Sequence, residues 1–87
     1  MTPYGNKCVV LIEKQYLKEK GKPILTDTGE PKYEIGQEGK VLSSNLDGIK
    51  KGMTIICNYR GGMPVIKAEN KKSITVIFEA DDVYATV

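Results

Sequence analysis

The chain has no histidine and no tryptophan, one arginine (Arg60), one phenylalanine (Phe78) and two cysteines among 87 residues. Each scarcity removes a class of chemistry. Histidine is the commonest near-neutral general base and transition-metal ligand, so Ser-His and Cys-His nucleophilic sites and histidine-ligated zinc centres are excluded. Cys8 and Cys57 stand 49 positions apart, without metal-ligand spacing. Each sits in an apolar run, Cys8-Val9-Val10-Leu11-Ile12 and Ile55-Ile56-Cys57, where a buried reduced thiol is expected. The longest apolar runs, Cys8–Ile12 and the stretch around Thr75–Phe78, fall far short of the roughly 20 residues of a membrane span. Met1–Lys7 shows neither the apolar stretch nor the small-residue cleavage site of a secretion signal, so a cytoplasmic location is expected.

What is present describes one small folded domain, residues 1–87, with 40% apolar and 28% charged residues. Folding at this size hides only about two-thirds of the unfolded chain's surface, so the core is thin. Thirteen basic against eleven acidic residues leave a net charge of +2, and twelve of the thirteen are lysine. Phosphate-gripping and base-reading surfaces lean on arginine's fork, so nucleic acid is not the expected partner. Gly36-Gln37-Glu38-Gly39-Lys40 lacks the spacer and the hydroxyl residue of a phosphate loop. Asp81 and Asp82 are strand neighbours that point apart and fit a turn better than a carboxylate pair.

Lys7–Ile12, β-branched and apolar after Pro3, Gly5 and Asn6, reads as a first strand. From Glu13 to Glu38, five lysines, six acids, Gly21, Pro23, Gly29, Pro31 and Gly36 interrupt every periodic pattern, with room for at most two helical turns in Glu13–Lys20. Beyond it come an extended Gly39–Leu42, a turn at Ser44–Gly48, a strand within Met53–Tyr59, a glycine turn at Arg60–Gly62, a strand candidate at Met63–Ala68, a polar turn at Glu69–Lys72, a strand at Ile74–Phe78 and a last extended piece at Asp82–Val87. Short strands at about ten-residue spacing predict an all-β barrel or sandwich. A structureless segment longer than about 12 to 15 residues inside so small a domain is where function is sought. Within it, Pro23-Ile24-Leu25 is the only apolar cluster, an anchor that either grips a partner or folds back on the barrel.

The order of these pieces resembles the small co-chaperonin family, the GroES-like subunits that cap a large chaperonin ring. Pro3-Tyr4-Gly5-Asn6-Lys7-Cys8-Val9-Val10 is similar to that family's first strand, and Gly21-Lys22-Pro23-Ile24-Leu25-Thr26 to its mobile loop with the chaperonin-binding tripeptide. Gly39–Leu42, Ile49–Ile56, Tyr59–Gly62 and Glu79–Val87 resemble its later segments, with Met53 where an aspartate is usual and one residue inserted near the end. Ser43–Gly48 is too short for the hairpin that roofs the folding chamber. Some bacteriophage-encoded co-chaperonins lack that roof, so the resemblance extends to a phage source acting in the host cytoplasm.

The resemblance implies a small GroES-like β-barrel with a mobile loop over about 14–38 and a shortened or missing roof hairpin. It implies a non-enzymatic lid, without metal or cofactor, that assists protein folding. Gly21, Pro23, Ile24 and Leu25 would bind a GroEL-like ring in an ATP-dependent cycle, the ATP being held by the partner. Neighbouring subunits of a homo-oligomer, a heptamer by resemblance, would pair the first strand (Pro3 to Val10, including Cys8, Val9 and Val10) with the last (Asp82 to Val87, including Val83, Tyr84 and Ala85). The alternative from a different class is a monomeric oligonucleotide-binding β-barrel using the lysines and the scattered tyrosines.

Overall fold

The computed structural model describes residues 1–87 as an all-β domain with a projecting arm. Its strands are β1 (Lys7–Tyr16), β2 (Lys18–Glu19), β3 (Lys22–Pro23), β4 (Tyr33–Ile35), β5 (Glu38–Ser44), β6 (Thr54–Cys57), β7 (Met63–Pro64), β8 (Ser73–Glu79) and β9 (Val83–Thr86). The main sheet runs β7-β8-β1-β5-β6-β9, antiparallel throughout, and β4 pairs with the far half of β1. Single 3₁₀ turns occupy Tyr59–Gly61, Ile66–Ala68 and Ala80–Asp82. No helix is long and apolar enough to cross a membrane.

The sheet curls because its inward residues are apolar and alternate with the pleat. Cys8, Val10 and Ile12 of β1, Val41 of β5, Ile55 and Cys57 of β6, and Ile74, Val76 and Phe78 of β8 form one buried cluster. Half-buried Ile35, Leu46, Ile49, Met53, Tyr59 and Val83 close over it. Gly39 lets β5 lie close on β1, since a Cβ there would overlap the Val10 side chain and come within 3.1 Å of Ile12. The hydrogen-bonded path is open between β7 and β9; the link from β6 to β7 crosses the gap through Asn58–Gly62, where the Asn58 N–H donates to the Asp82 carbonyl at 2.8 Å. No strand forms between Ser44 and Thr54, so the short turn there carries no hairpin.

Two sequence expectations are corrected. The segment from Glu13 to Glu38 is not structureless: β1 continues four residues past Ile12, β4 returns beside it, and Lys14↔Ile35, Gln15↔Glu34 and Tyr16↔Tyr33 form a ladder. No helical turn forms in Glu13–Lys20. The arm stretches the molecule to 43 × 26 × 19 Å and its radius of gyration to 14.1 Å, where a compact chain of this length has about 12 Å. Met63–Ala68, expected as one strand, is a two-residue strand followed by a 3₁₀ turn: pairing with β8 ends where the Val65 N–H donates to the Thr75 carbonyl at 2.8 Å, and the Ala68 N–H then turns back to the Val65 carbonyl at 3.0 Å.

Both thiols are free and buried, Cys8 at 0% and Cys57 at 1% exposure. Burial, reinforced by Cys8 and Asp82 nearby, pushes the Cys57 thiol from its ordinary 9.0 up to about 11, and burial likewise raises Cys8. Two results follow. An aromatic disulfide reagent at pH 8 should label neither cysteine until the chain unfolds, and fast labelling of the native protein would contradict the buried placement. Because the folded state holds the Cys57 proton more tightly than the unfolded chain, its contribution to stability is complete below pH 9 and is lost as the pH rises towards 11.

Candidate partner-binding arm

Beyond Tyr16 the arm branches. Three backbone bonds meet at one point: Leu17 N–H to the Lys32 carbonyl at 3.0 Å, Ile24 N–H to the Leu17 carbonyl at 3.1 Å, and Lys32 N–H to the Ile24 carbonyl at 2.8 Å. From this junction diverge the β1–β4 stem and two short hairpins. The first pairs Lys18 with Pro23 and Glu19 with Lys22. Its turn residues Lys20 and Gly21 both take positive φ, 52° and 78°, the two-residue geometry that matches strand twist. The second brackets Thr26–Glu30 between Leu25 and Pro31. There the Thr26 carbonyl accepts from Gly29 N–H at 2.9 Å, Thr26 N–H donates to the Glu30 carbonyl at 2.7 Å, and Gly29 sits at φ 84°. This is the three-residue hairpin loop that ends in a left-handed residue.

The structure therefore brings Gly21, Pro23, Ile24 and Leu25 together on one head. Gly21 makes the first turn, Pro23 ends the first hairpin, and Leu25 opens the second. Leu25 is 53% exposed, while Ile24, at the junction, is half-buried. Neither folds back on the core of the sheet, whose members are all outside the arm head.

The inter-subunit strand pairing is corrected on one side. Cys8, Val9 and Val10 are fully buried, and β1 is already flanked by β8 (Cys8↔Phe78, Val10↔Val76) and β5 (Cys8↔Ser44, Val10↔Val41). Both of its edges are taken by strands of the same chain. Val83, Tyr84 and Ala85 are different: β9 pairs only with β6, its other edge is open, and Tyr84 is 66% exposed. Within one chain these two groups are not neighbours, being separated in the sheet by β5 and β6.

Sequence reasoning missed the residues that hold the arm to the body. Lys14 N–H donates to the Lys72 carbonyl at 2.8 Å, and the Tyr16 hydroxyl donates to the Lys71 carbonyl. The Lys14 ammonium lies 4.5 Å from the Tyr33 ring centre and 3.7 Å from Glu69, with its side chain only 6% exposed. Tyr16 and Tyr33 meet edge to face at 5.6 Å. The available signal was a pair of aromatics in a segment otherwise crowded with charge.

A cleft of about 800 Å³ beside this attachment is lined by Leu11, Lys14, Tyr16, Lys71 and Lys72 among others. Its lysines and tyrosine are the types an oligonucleotide-binding barrel would use, yet Lys14 is engaged by Glu69 and the Tyr16 hydroxyl by a main-chain carbonyl. Nowhere do three metal-ligating side chains converge. The geometry defines a class, a small all-β body presenting an apolar step on a preformed arm. No family model, curated protein or solved structure matches the chain.

Proposed function

We propose that this protein is a co-chaperonin of the GroES-like kind: a non-enzymatic ring-shaped lid whose arms dock on an ATP-bound chaperonin and close its folding chamber. The observation that carries the reading is the projecting arm, which displays Leu25 beside Ile24 at the far end of an extended stem instead of packing them on the core. A single exposed leucine step binds weakly. Several presented by one ring gain avidity through effective concentration and still release when the partner changes state.

Ring contact falls to β9, whose open edge bears Tyr84 and Ala85, since an unpaired edge strand is a template for another chain. The ring is a homo-oligomer, a heptamer by resemblance, working in the cytoplasm. The short Ser44–Thr54 connection leaves its top without a roof hairpin. Purified protein is expected to run in light scattering as a multiple of the 9.6 kDa chain, and to co-elute with a large chaperonin only when ATP is present. Removal of Val83–Val87 is expected to dissociate the ring. A single-chain mass at micromolar concentration, with no ATP-dependent co-elution, would remove this function and favour the oligonucleotide-binding barrel.

A further inference from the structure

The charges of the arm head are segregated by hairpin. Lys18, Lys20 and Lys22 against Glu19 give the first hairpin a net charge of +2, and Asp27 and Glu30 give the loop of the second a net charge of −2. All six side chains are exposed, and none is in an ion pair; the chain's one ion pair is Lys14–Glu69, on the stem. Between the two hairpins runs the Ile24–Leu25 step, because the chain passes directly from the end of one to the start of the other. The junction bonds among Leu17, Ile24 and Lys32 fix the two hairpins to the same point.

We infer that the arm head is a bipolar docking module, whose protein partner offers an apolar groove with an acidic rim facing the Lys18–Pro23 hairpin and a basic rim facing the Leu25–Pro31 hairpin. This rests on the lid reading and specifies the chemistry of the surface the lid meets. The apolar step by itself fits a groove in either direction. Because the two hairpins that flank the step in the chain carry opposite charges, one direction of entry is attractive and the reverse repulsive, so each arm enters in a single orientation. Complementary rim charges act mainly on association rate and specificity, and their reach is about 10 Å at 0.1 M salt. The hairpins are formed before contact, so the charge pattern is present as the arm approaches.

The test uses two charge-reversed proteins, one with Lys18→Glu and Lys22→Glu, the other with Asp27→Lys and Glu30→Lys; Lys20 is left alone because of its positive φ. Capture by a GroEL-type chaperonin with ATP is measured against salt, with exchange protection of the Leu17, Ile24 and Lys32 amides as the control for arm structure. Both proteins are expected to bind at least about tenfold more weakly than the parent near 0.05 M salt, and the deficit is expected to shrink towards 1 M. If either loses amide protection, the pairs Lys18→Gln with Lys22→Gln and Asp27→Asn with Glu30→Gln replace it, with a smaller loss in the same direction. One pair weakening while the other strengthens capture means a groove of one sign and overturns the bipolar assignment. So does parent-like capture by both, or concentration-dependent self-association that either reversal abolishes. Failure of the parent itself to be captured is a separate result: it overturns the lid reading and this inference with it.

Discussion

Leu25→Asp is expected to abolish chaperonin capture while leaving the melting midpoint and the oligomer mass at parental values. The side chain is 53% exposed and belongs to no core cluster, so the fold loses little when it becomes polar. Its backbone contact with Pro31 is independent of the side chain. Burying a leucine in an apolar groove is worth roughly 1.5 to 3 kcal/mol, and a carboxylate in that groove adds a desolvation cost. Because every arm of a ring carries the change, the deficits multiply and capture falls below detection. Thermal melting, light scattering and ATP-dependent co-elution on the same preparation separate the outcomes. Unchanged capture would take Leu25 out of the docking surface; a collapsed melting midpoint would show that the residue supports the fold instead.

Ile24→Asp is expected to lose capture as well, with a further effect. Ile24 is half-buried and its N–H and carbonyl both hold the junction, so an aspartate there should loosen the head and raise amide exchange at Leu17 and Lys32. The contrast between the two neighbours identifies one as display and the other as display plus support.

The body of the fold was legible because its strands are short, β-branched apolar runs. Cys8, Val10 and Ile12, and again Ile74, Val76 and Phe78, alternate inward within short runs bounded by turn residues. The arm was harder to read for a specific reason. Gly21, Pro23, Gly29 and Pro31 look like breaks in a periodic pattern, yet Gly21 and Gly29 are the left-handed residues of two tight hairpin turns and the prolines mark hairpin ends. Lys20-Gly21 carries the positive-φ pair without the Asn or Asp usual at its first position. With hairpin sides only two residues long, no alternation exists to detect. Ile24 and Leu25 stood out in the sequence because they are apolar among charges, and the structure leaves Leu25 exposed on the arm head. The last strand lies on an open sheet edge, whereas the flanking of β1 on both sides depends on long-range pairing that local pattern does not encode.

Gly62→Ala is expected to lower the melting midpoint by several degrees, up to roughly 20 °C. A Cβ at Gly62 would overlap the Val76 side chain and stand 2.5 and 2.7 Å from two carbons of the Phe78 ring. Both neighbours are at 0% exposure in the middle of the core, so neither has free space into which to turn. The backbone itself is not the obstacle: φ is −90° and ψ 168°, values open to alanine. Overpacking of this kind costs about 1 to 3 kcal/mol, offset by about 0.4 to 1 kcal/mol from the stiffer unfolded chain, and each net kcal/mol moves the midpoint of so small a domain by about 4 to 8 °C. Gly48→Ala is the matched control. Its φ is 78° and nothing lies within 4 Å of the added carbon, so it carries only the left-handed penalty of about 1 kcal/mol. A Gly62→Ala protein that melts no lower than Gly48→Ala would mean that the Asn58–Gly62 crossover does not press on the core, and that the gap between β7 and β9 is closed by something other than this contact.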